Sequence, residues 1–234
     1  MVTAEGVPKH YVVRTHVEDL LAGLAEGDPV PAERELAATC GVSRETVRQA
    51  LHELLVAGRV ERRGRGTVVA RPKLVQPLSL GSYTEGALSQ GREPGRILVR
   101  WEEIDARERL SENLEIAPGA PVIHLERVLL ADGERIGLES TYLPLARFPD
   151  LADTFDPESS LYAAIRATGV RFATATERIE TVLPTPREAG LVEASTALPM
   201  LKLDRVSRDA AGVPIERVRS LYRGDRMAFV AELR

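Results

Sequence analysis

The stretch from Pro31 to Val69, PAERELAATCGVSRETVRQALHELLVAGRVERRGRGTVV, constrains this chain most, because a helical periodicity gives way there to a strand periodicity around glycine-bearing turns. Ser43 predicts a helix start: its hydroxyl can accept from the free amide of Thr46, and Glu45 in the first turn suits the positive helix end. Val47, Ala50, Leu51, Leu54 and Leu55 then fall at i, i+3, i+4, i+7 and i+8, one apolar stripe that needs a core to pack on. The other face carries Arg44, Glu45, Arg48, Gln49 and His52. Arginine pairs bidentately with guanine and glutamine with adenine in the major groove of duplex DNA. A shorter helix precedes, from about Ala32 to Cys40, with Pro31 at its start and Leu36 and Ala37 inward. Gly41 supplies the left-handed backbone for a tight turn. Two helices joined by such a turn form a helix-turn-helix.

After Gly58, Val60 and Arg62 lead into Arg63-Gly64-Arg65-Gly66 and then Thr67-Val68-Val69, two predicted strands with a flexible basic tip. Residues 59–71 hold five arginines and one acidic residue, Glu61, a local charge of +4 on a chain whose total is -4. The local field decides where a polyanion docks. Arginine at a glycine-rich tip also suits the negative potential of a narrow minor groove. An isolated basic hairpin can be mere solvated surface, but directly after a helix-turn-helix this one is expected to be a wing.

At 234 residues the chain has room for two domains. An amphipathic helix from about Tyr11 to Ala25, with Val13, Val17, Leu20, Leu21 and Leu24 on one side and Gly27 and Pro29 closing it, is expected to complete a three-helix core. Arg71 to Pro77 contains two prolines and no visible period, so it is predicted as a linker. The expected division is 1–70 for DNA binding, 71–77 for the linker and 78–234 for the second domain. Strands are predicted there at Ile97–Trp101, Val122–Leu130, Ile136–Leu143, Phe172–Leu183, Met200–Val206, Ile215–Tyr222 and Met227–Leu233. Asp132-Gly133 and Ala211-Gly212 are hairpin signals, so the sheet should be mainly antiparallel. Flanking helices are expected from Asp105 through Leu110 and Leu114, from Thr185 with its capping box to Glu188, and from Ser160. The fold class is therefore α+β.

No apolar run approaches the roughly 20 residues that span a bilayer, and the N-terminus lacks the form of a secretion signal, so a cytoplasmic location is expected and no membrane partner. The single cysteine, Cys40, excludes an internal disulfide and is expected to be a small buried hydrophobe. No nucleophile elbow or phosphate loop occurs, and His10, His16, His52 and His124 are scattered without metal-site spacing. No catalytic residue, metal or cofactor is expected. His124, inside an apolar strand, is expected to be a hydrogen-bonded core residue. Ser82, Tyr83, Thr84, Arg127, Glu139, Ser160, Tyr162, Glu216 and Tyr222 lie on strand faces or helix starts. Each alone could be surface or sheet decoration; together they suit a pocket in which arginine and hydroxyls hold an anion while carboxylates accept from hydroxyl or amide donors.

The segments Pro31-Ala-Glu-Arg-Glu-Leu-Ala, Val42-Ser-Arg-Glu-Thr-Val-Arg-Gln-Ala-Leu and Gly64-Arg-Gly-Thr-Val-Val resemble the winged helix-turn-helix domain of the GntR family of bacterial transcription regulators. Ser82-Tyr-Thr-Glu, Leu125-Glu-Arg-Val, Leu138-Glu-Ser-Thr, Ser159-Ser-Leu-Tyr and Arg219-Ser-Leu-Tyr-Arg-Gly-Asp-Arg are similar to the UTRA effector domain of its HutC subfamily, which has a chorismate-lyase-like fold. The resemblance implies a homodimer on a pseudo-palindromic operator, usually a repressor, controlled by a small-molecule effector in the C-terminal domain. It matches Arg34, Arg44, Thr46, Arg48, Gln49 and the wing at Gly66 to DNA contacts, and the helix start and basic tip add Ser43, Arg63 and Arg65 to the expected DNA-binding set. Among subfamily members the chain is most similar to regulators of N-acetylglucosamine use, which sense amino-sugar phosphates. By that likeness Ser82 to Thr84, Arg127, Ser160 and Tyr162 would hold phosphate, and Glu139, Glu216 and Tyr222 the sugar. One departure stands out: those regulators carry Arg-x-Arg where this chain has Arg127-Val128-Leu129. Two alternatives are an enzymatic C-terminal domain of the chorismate-lyase type and a DNA-binding factor that answers to no effector.

Overall fold

The computed structural model describes residues 6–232, apart from the side chain of Ala152. It divides into two compact units, one built on the chain up to Lys73 with Gly224–Arg226, the other on Leu74–Arg223 and the residues from Met227 onward.

In the first unit three helices, α1 (Lys9–Leu21), α2 (Glu33–Cys40) and α3 (Arg44–Val56), enclose one core. Val13, Val17 and Leu21 meet Leu36, Val47, Ala50, Leu51 and Leu54, with Val60 closing the cluster. Burying a leucine or valine in this way contributes about 1.5–3 kcal/mol. Helix α1 stops four residues short of the expected end, at Leu21, just before the poor helix former Gly23. Leu20 is 37% exposed, because the stripe that meets the core is the narrow 13-17-21 row. Gly41 has φ 63°, the left-handed value the turn between α2 and α3 requires. Cys40 is only partly buried, against the edge of the core, a smaller burial than expected. The wing forms from β1 (Val60–Arg63) and β2 (Gly66–Val69), paired antiparallel from Val60↔Val69 to Arg63↔Gly66 around a two-residue loop that begins with Gly64 at φ 59°.

The second unit opens with a strand where a linker was expected. In β3 (Leu74–Pro77), Leu74 and Gln76 are buried while Val75 and Pro77 are exposed. Its parallel partner β10 (Met227–Val230) lies about 150 residues away in the chain, so no local signal announces the pairing. Strand β10 is shorter than the predicted run, whose last residue, Leu233, lies outside the described residues. Between them come α4 (Tyr83–Leu88), β4 (Pro94–Asp105), α5 (Glu108–Leu114), β5 (Pro121–Ala131), β6 (Glu134–Pro144), α6 (Leu151–Thr154), α7 (Leu161–Ala167), β7 (Thr174–Val182), α8 (Pro186–Leu191), β8 (Met200–Arg208) and β9 (Pro214–Arg223). Six of these strands form one sheet in the order β4-β5-β6-β9-β8-β7, with every neighbouring pair antiparallel.

The hairpin signals hold. Asp132 and Gly133, at φ 50° and 79°, make the two-residue loop between β5 and β6. The loop carrying Ala211-Gly212 is ordered by the Asp209 carboxylate, which accepts from the amides of Ala211 and Val213, each at 2.9 Å. Thr185 and Glu188 form the expected reciprocal cap of α8. Asp105, expected to open a helix, instead ends β4 opposite Pro121, and α5 begins at Glu108 behind Arg107, which makes no side-chain cap. Sheet pairing outweighed the local capping pattern there.

Candidate functional site

On the first unit, Ser43 caps α3 by accepting from the Thr46 amide at 3.2 Å, and the two hydroxyls lie 2.9 Å apart. This fixes the helix start that presents Arg44, Arg48 and Gln49, all exposed. Glu33, at the start of α2, gathers arginines from two elements: Arg48 Nε donates to it at 3.0 Å, Arg44 Nη2 at 3.5 Å, and Arg62 Nη2 of the wing lies 3.9 Å away. Arg48 also pairs with Glu45 at 3.3 Å, and these carboxylates raise its pKa above the ordinary arginine value. Such exposed pairs contribute little to stability and can open at small cost when a phosphate competes. Arg34 is exposed on α2; Arg63 pairs with Glu61 at 3.0 Å; Arg65 and Gly66 are exposed at the tip of the wing.

In the second unit, register builds the site. Side chains alternate faces along a strand, and residues opposite one another across an antiparallel pair share a face. One row across the sheet runs Arg127, Glu139, Ser220, Leu203; a second runs Arg96, Leu129, Gly137, Tyr222; a third includes Val218, Arg205 and Glu177. All of these except Gly137 line one cavity, to which Ser82, Tyr83, Ser160 and Tyr162 also contribute. The glycine in the second row has a steric reason. A Cβ at Gly137 would lie 2.8 Å from Tyr222 Cδ1 and 2.9 Å from the Leu221 carbonyl oxygen, so only glycine lets the Tyr222 ring lie over β6.

Arg127 is 2% exposed. Its Nη1 donates to the carbonyls of Pro157 and Ser159 at 3.2 and 3.0 Å, its Nη2 to Glu139 Oε1 at 2.9 Å, and its Nε is buried without a partner. Ser160 caps α7, and Ser82 caps α4 by accepting from the Glu85 amide at 3.2 Å. The hydroxyl of Tyr83 donates to the Leu130 carbonyl at 2.5 Å, and burial raises its pKa. Tyr222 is likewise raised by burial, then by the Glu139 charge.

Two residues of the expected set stand behind the cavity wall. Thr84 does not line it and accepts from Arg96 Nη2. Glu216 is fully buried; Tyr162 and Ser207 donate to its Oε1, its Oε2 has no partner, and burial raises its pKa to about 7. Sequence reasoning missed Arg96, Arg205, Glu177 and Gln76. Arg205 and Glu177 form a two-pronged ion pair, 2.8 and 3.0 Å, on neighbouring strands. Opposite charges at period-two positions of predicted strands were the available signal. Among the described residues no cluster of His, Cys, Asp and Glu suits a metal. His124 is stacked on Tyr142 at 4.5 Å, with Nδ1 3.5 Å from Glu102 and Nε2 buried without a partner, so it is less fully bonded than expected. Burial pushes its pKa down.

Residues 89–228 match the UTRA domain and residues 13–69 match the bacterial regulatory proteins of the gntR family. The HTH-type transcriptional repressor PhnF of Mycolicibacterium smegmatis is 56% identical over 228 residues, covering 97% of this chain and 93% of the relative. The chain belongs to the gntR family. The HTH-type transcriptional repressor NagR of Bacillus subtilis is 33% identical over 232 residues, 96% of this chain and 94% of that protein. The crystal structure of PhnF from Mycobacterium smegmatis superposes with a TM-score of 0.71 over 95% of this chain and 99% of that one, at 56% identity. This family member is a DNA-binding transcriptional repressor with a UTRA effector domain, not an enzyme. Among the described residues no helix is long and apolar enough to cross a membrane.

Proposed function

We propose that this repressor holds its operator through α3 and the wing, and that a small metabolite entering the cavity of the second unit changes that affinity. The observation that carries the reading is Arg127, a guanidinium almost wholly withdrawn from water, held by two carbonyls and one carboxylate, with an N–H still free. Burying a charge in this way is costly, and the cost is offset when a ligand of opposite sign completes the site. An amino sugar or sugar phosphate suits the mixture of arginines, carboxylates and hydroxyls around it. Ser82, Tyr83, Ser160, Tyr162, Glu139 and Tyr222 are its contacts in this reading, with Thr84 and Glu216 acting from behind.

On the DNA side the assignments are Arg34, Ser43, Arg44, Thr46, Arg48, Gln49, Arg63, Arg65 and Gly66. DNA binding is placed in 1–70 and effector binding from 78 onward, with Leu74–Pro77 of the intervening 71–77 belonging to the second unit as β3. A homodimer in the cytoplasm, on half-sites about 34–36 Å apart, follows from one recognition helix per chain reading only a few base pairs. Coupling between metabolite and DNA of about 1–3 kcal/mol, reciprocal by linkage, is the expected size.

The test is a fluorescence anisotropy titration on the promoter of its own operon, with and without sugars and sugar phosphates. We expect Arg44→Ala and Arg48→Ala each to cost about 1–3 kcal/mol on that promoter and much less on random duplex. Absence of salt-dependent, sequence-preferring binding would refute the DNA assignment. Operator affinity unmoved by every metabolite would leave a constitutive factor instead.

A further inference from the structure

The sheet of the second unit has another face. Side chains alternate along β5, so His124 points away from the side that carries Arg127. On His124's side, Glu102, His124, Tyr142 and Arg217 stand opposite one another on β4, β5, β6 and β9, one row across four strands. The His124 and Tyr142 rings stack at 4.5 Å and 9°, and the Arg217 guanidinium lies over the Tyr142 ring at 5.9 Å. With Ile104 of β4 and Leu110 of α5 they line a recess of about 820 Å³, the size of cleft that small organic ligands occupy. No residue that lines it also lines the cavity holding Arg127.

The recess carries a surplus of charge. Arg100, Arg107, Arg109 and Arg217 line it together with Glu102 and Asp105, and Asp204 pairs with Arg217 from outside. Four arginines against three carboxylates leave one positive charge in excess. Glu102 matches Arg100 at 2.9 Å, whereas the guanidinium groups of Arg107 and Arg109 make no hydrogen bond or ion pair with any described residue. Burial lowers the pKa of Arg217, and the charges of Arg109 and Arg219 add to this against the pull of Asp204. Burial also lowers that of His124, whose ring is neutral at pH 7 and brings no charge of its own. A planar monoanion answers both features. A carboxylate matches a guanidinium fork with two parallel hydrogen bonds, and a flat ring packs against aromatic neighbours. One carboxylate cancels the surplus, while a phosphate dianion overshoots it.

We propose that this recess is a second small-molecule site, selective for aromatic monocarboxylates, in which Arg107 and Arg109 hold the carboxylate while His124 and Tyr142 face the ring. The assignment does not depend on what occupies the cavity holding Arg127.

Calorimetric titration of the full chain with naphthoate, its uncharged alcohol naphthylmethanol, decanoate and inorganic phosphate tests it. Naphthoate is expected to bind at least about tenfold more tightly than each of the others, the alcohol reporting on the charge and decanoate on the flat ring. Arg107→Gln combined with Arg109→Gln, both exposed, is expected to keep the thermal midpoint and to weaken naphthoate by about tenfold or more. Arg96→Gln, in the other cavity, is expected to leave naphthoate affinity within about twofold. A wild type that binds naphthoate no better than the alcohol, decanoate or phosphate overturns the site. So does an arginine pair variant with unchanged affinity. A loss in Arg96→Gln as large as that in the pair variant, at an unchanged thermal midpoint, also overturns it and places the ligand in the other cavity.

Discussion

In the first unit Arg44, Arg48 and Arg62 lie on the surface and share one carboxylate, Glu33, at 3.0 to 3.9 Å. In the second unit Arg127 is sealed from water and its donors are spent on fixed carbonyls and Glu139, with one N–H kept back. In the proposed function the two sets answer different ligands. A DNA phosphate meets arginines that are already solvated and only loosely paired, so binding chiefly exchanges weak pairs and counterions for backbone contacts. A small ligand meets a guanidinium whose desolvation was settled on folding, so selectivity comes from a rigid, preorganised site. The contrast predicts opposite mutational profiles. Arg127→Ala empties a buried site and leaves the half-buried Glu139 carboxylate without its partner, and is expected to lower folding stability by about 3 kcal/mol, while Arg48→Ala costs about 1 kcal/mol or less. Urea denaturation of both variants checks this, and equal losses would erase the distinction.

Glu216 extends the contrast from arginine to a carboxylate. Its folded-state pKa of about 7 lies above the ordinary carboxylate value because burial disfavours the charge. An unfolded glutamate ionises near 4.3, so its contribution is intact below that pH. Stability is then lost as pH rises from there through about 7, and levels off above. The loss amounts to about 4 kcal/mol. Glu216→Gln is therefore expected to flatten the stability profile between pH 5 and 8 and to gain up to about that much at pH 8 relative to wild type. His124, whose pKa is pushed down, titrates in an overlapping range with the opposite sign, so the quantity to read is the difference between variant and wild type. A variant profile parallel to that of wild type would show that Glu216 does not titrate there.

The first unit was legible because its signals are local. The cap at Ser43, the left-handed Gly41 and the 47-50-51-54 stripe each act within one or two turns, and the structure repeats them. In the second unit the strands and hairpins were legible for the same reason, but the site was less so. Strand β3 pairs with a segment at the far end of the chain. Arg96 acquires meaning only when register places it opposite Leu129, and Arg205 only when it meets Glu177. Thr84 and Glu216 were found as polar residues near the site, yet which side of the cavity wall they occupy depends on packing that no spacing rule encodes.

The smallest expected effect bears on the exposed side of the comparison. Arg65 stands at the tip of the wing, exposed, between Gly64 at φ 59° and Gly66, and the backbone there can follow a groove or a phosphate. If its charge acts through counterion release, Arg65→Ala should weaken specific and random duplex alike and make the slope of log affinity against log salt shallower by about one. If it enters a narrow minor groove instead, the loss should fall mainly on A·T-rich sites and the change in slope should depend on sequence. Titrations at four salt concentrations on an A·T-rich and a G·C-rich duplex separate the two. An unchanged slope on both would mean that the wing tip stands clear of the DNA, and that α3 with Arg44 and Arg48 carries the contact without it.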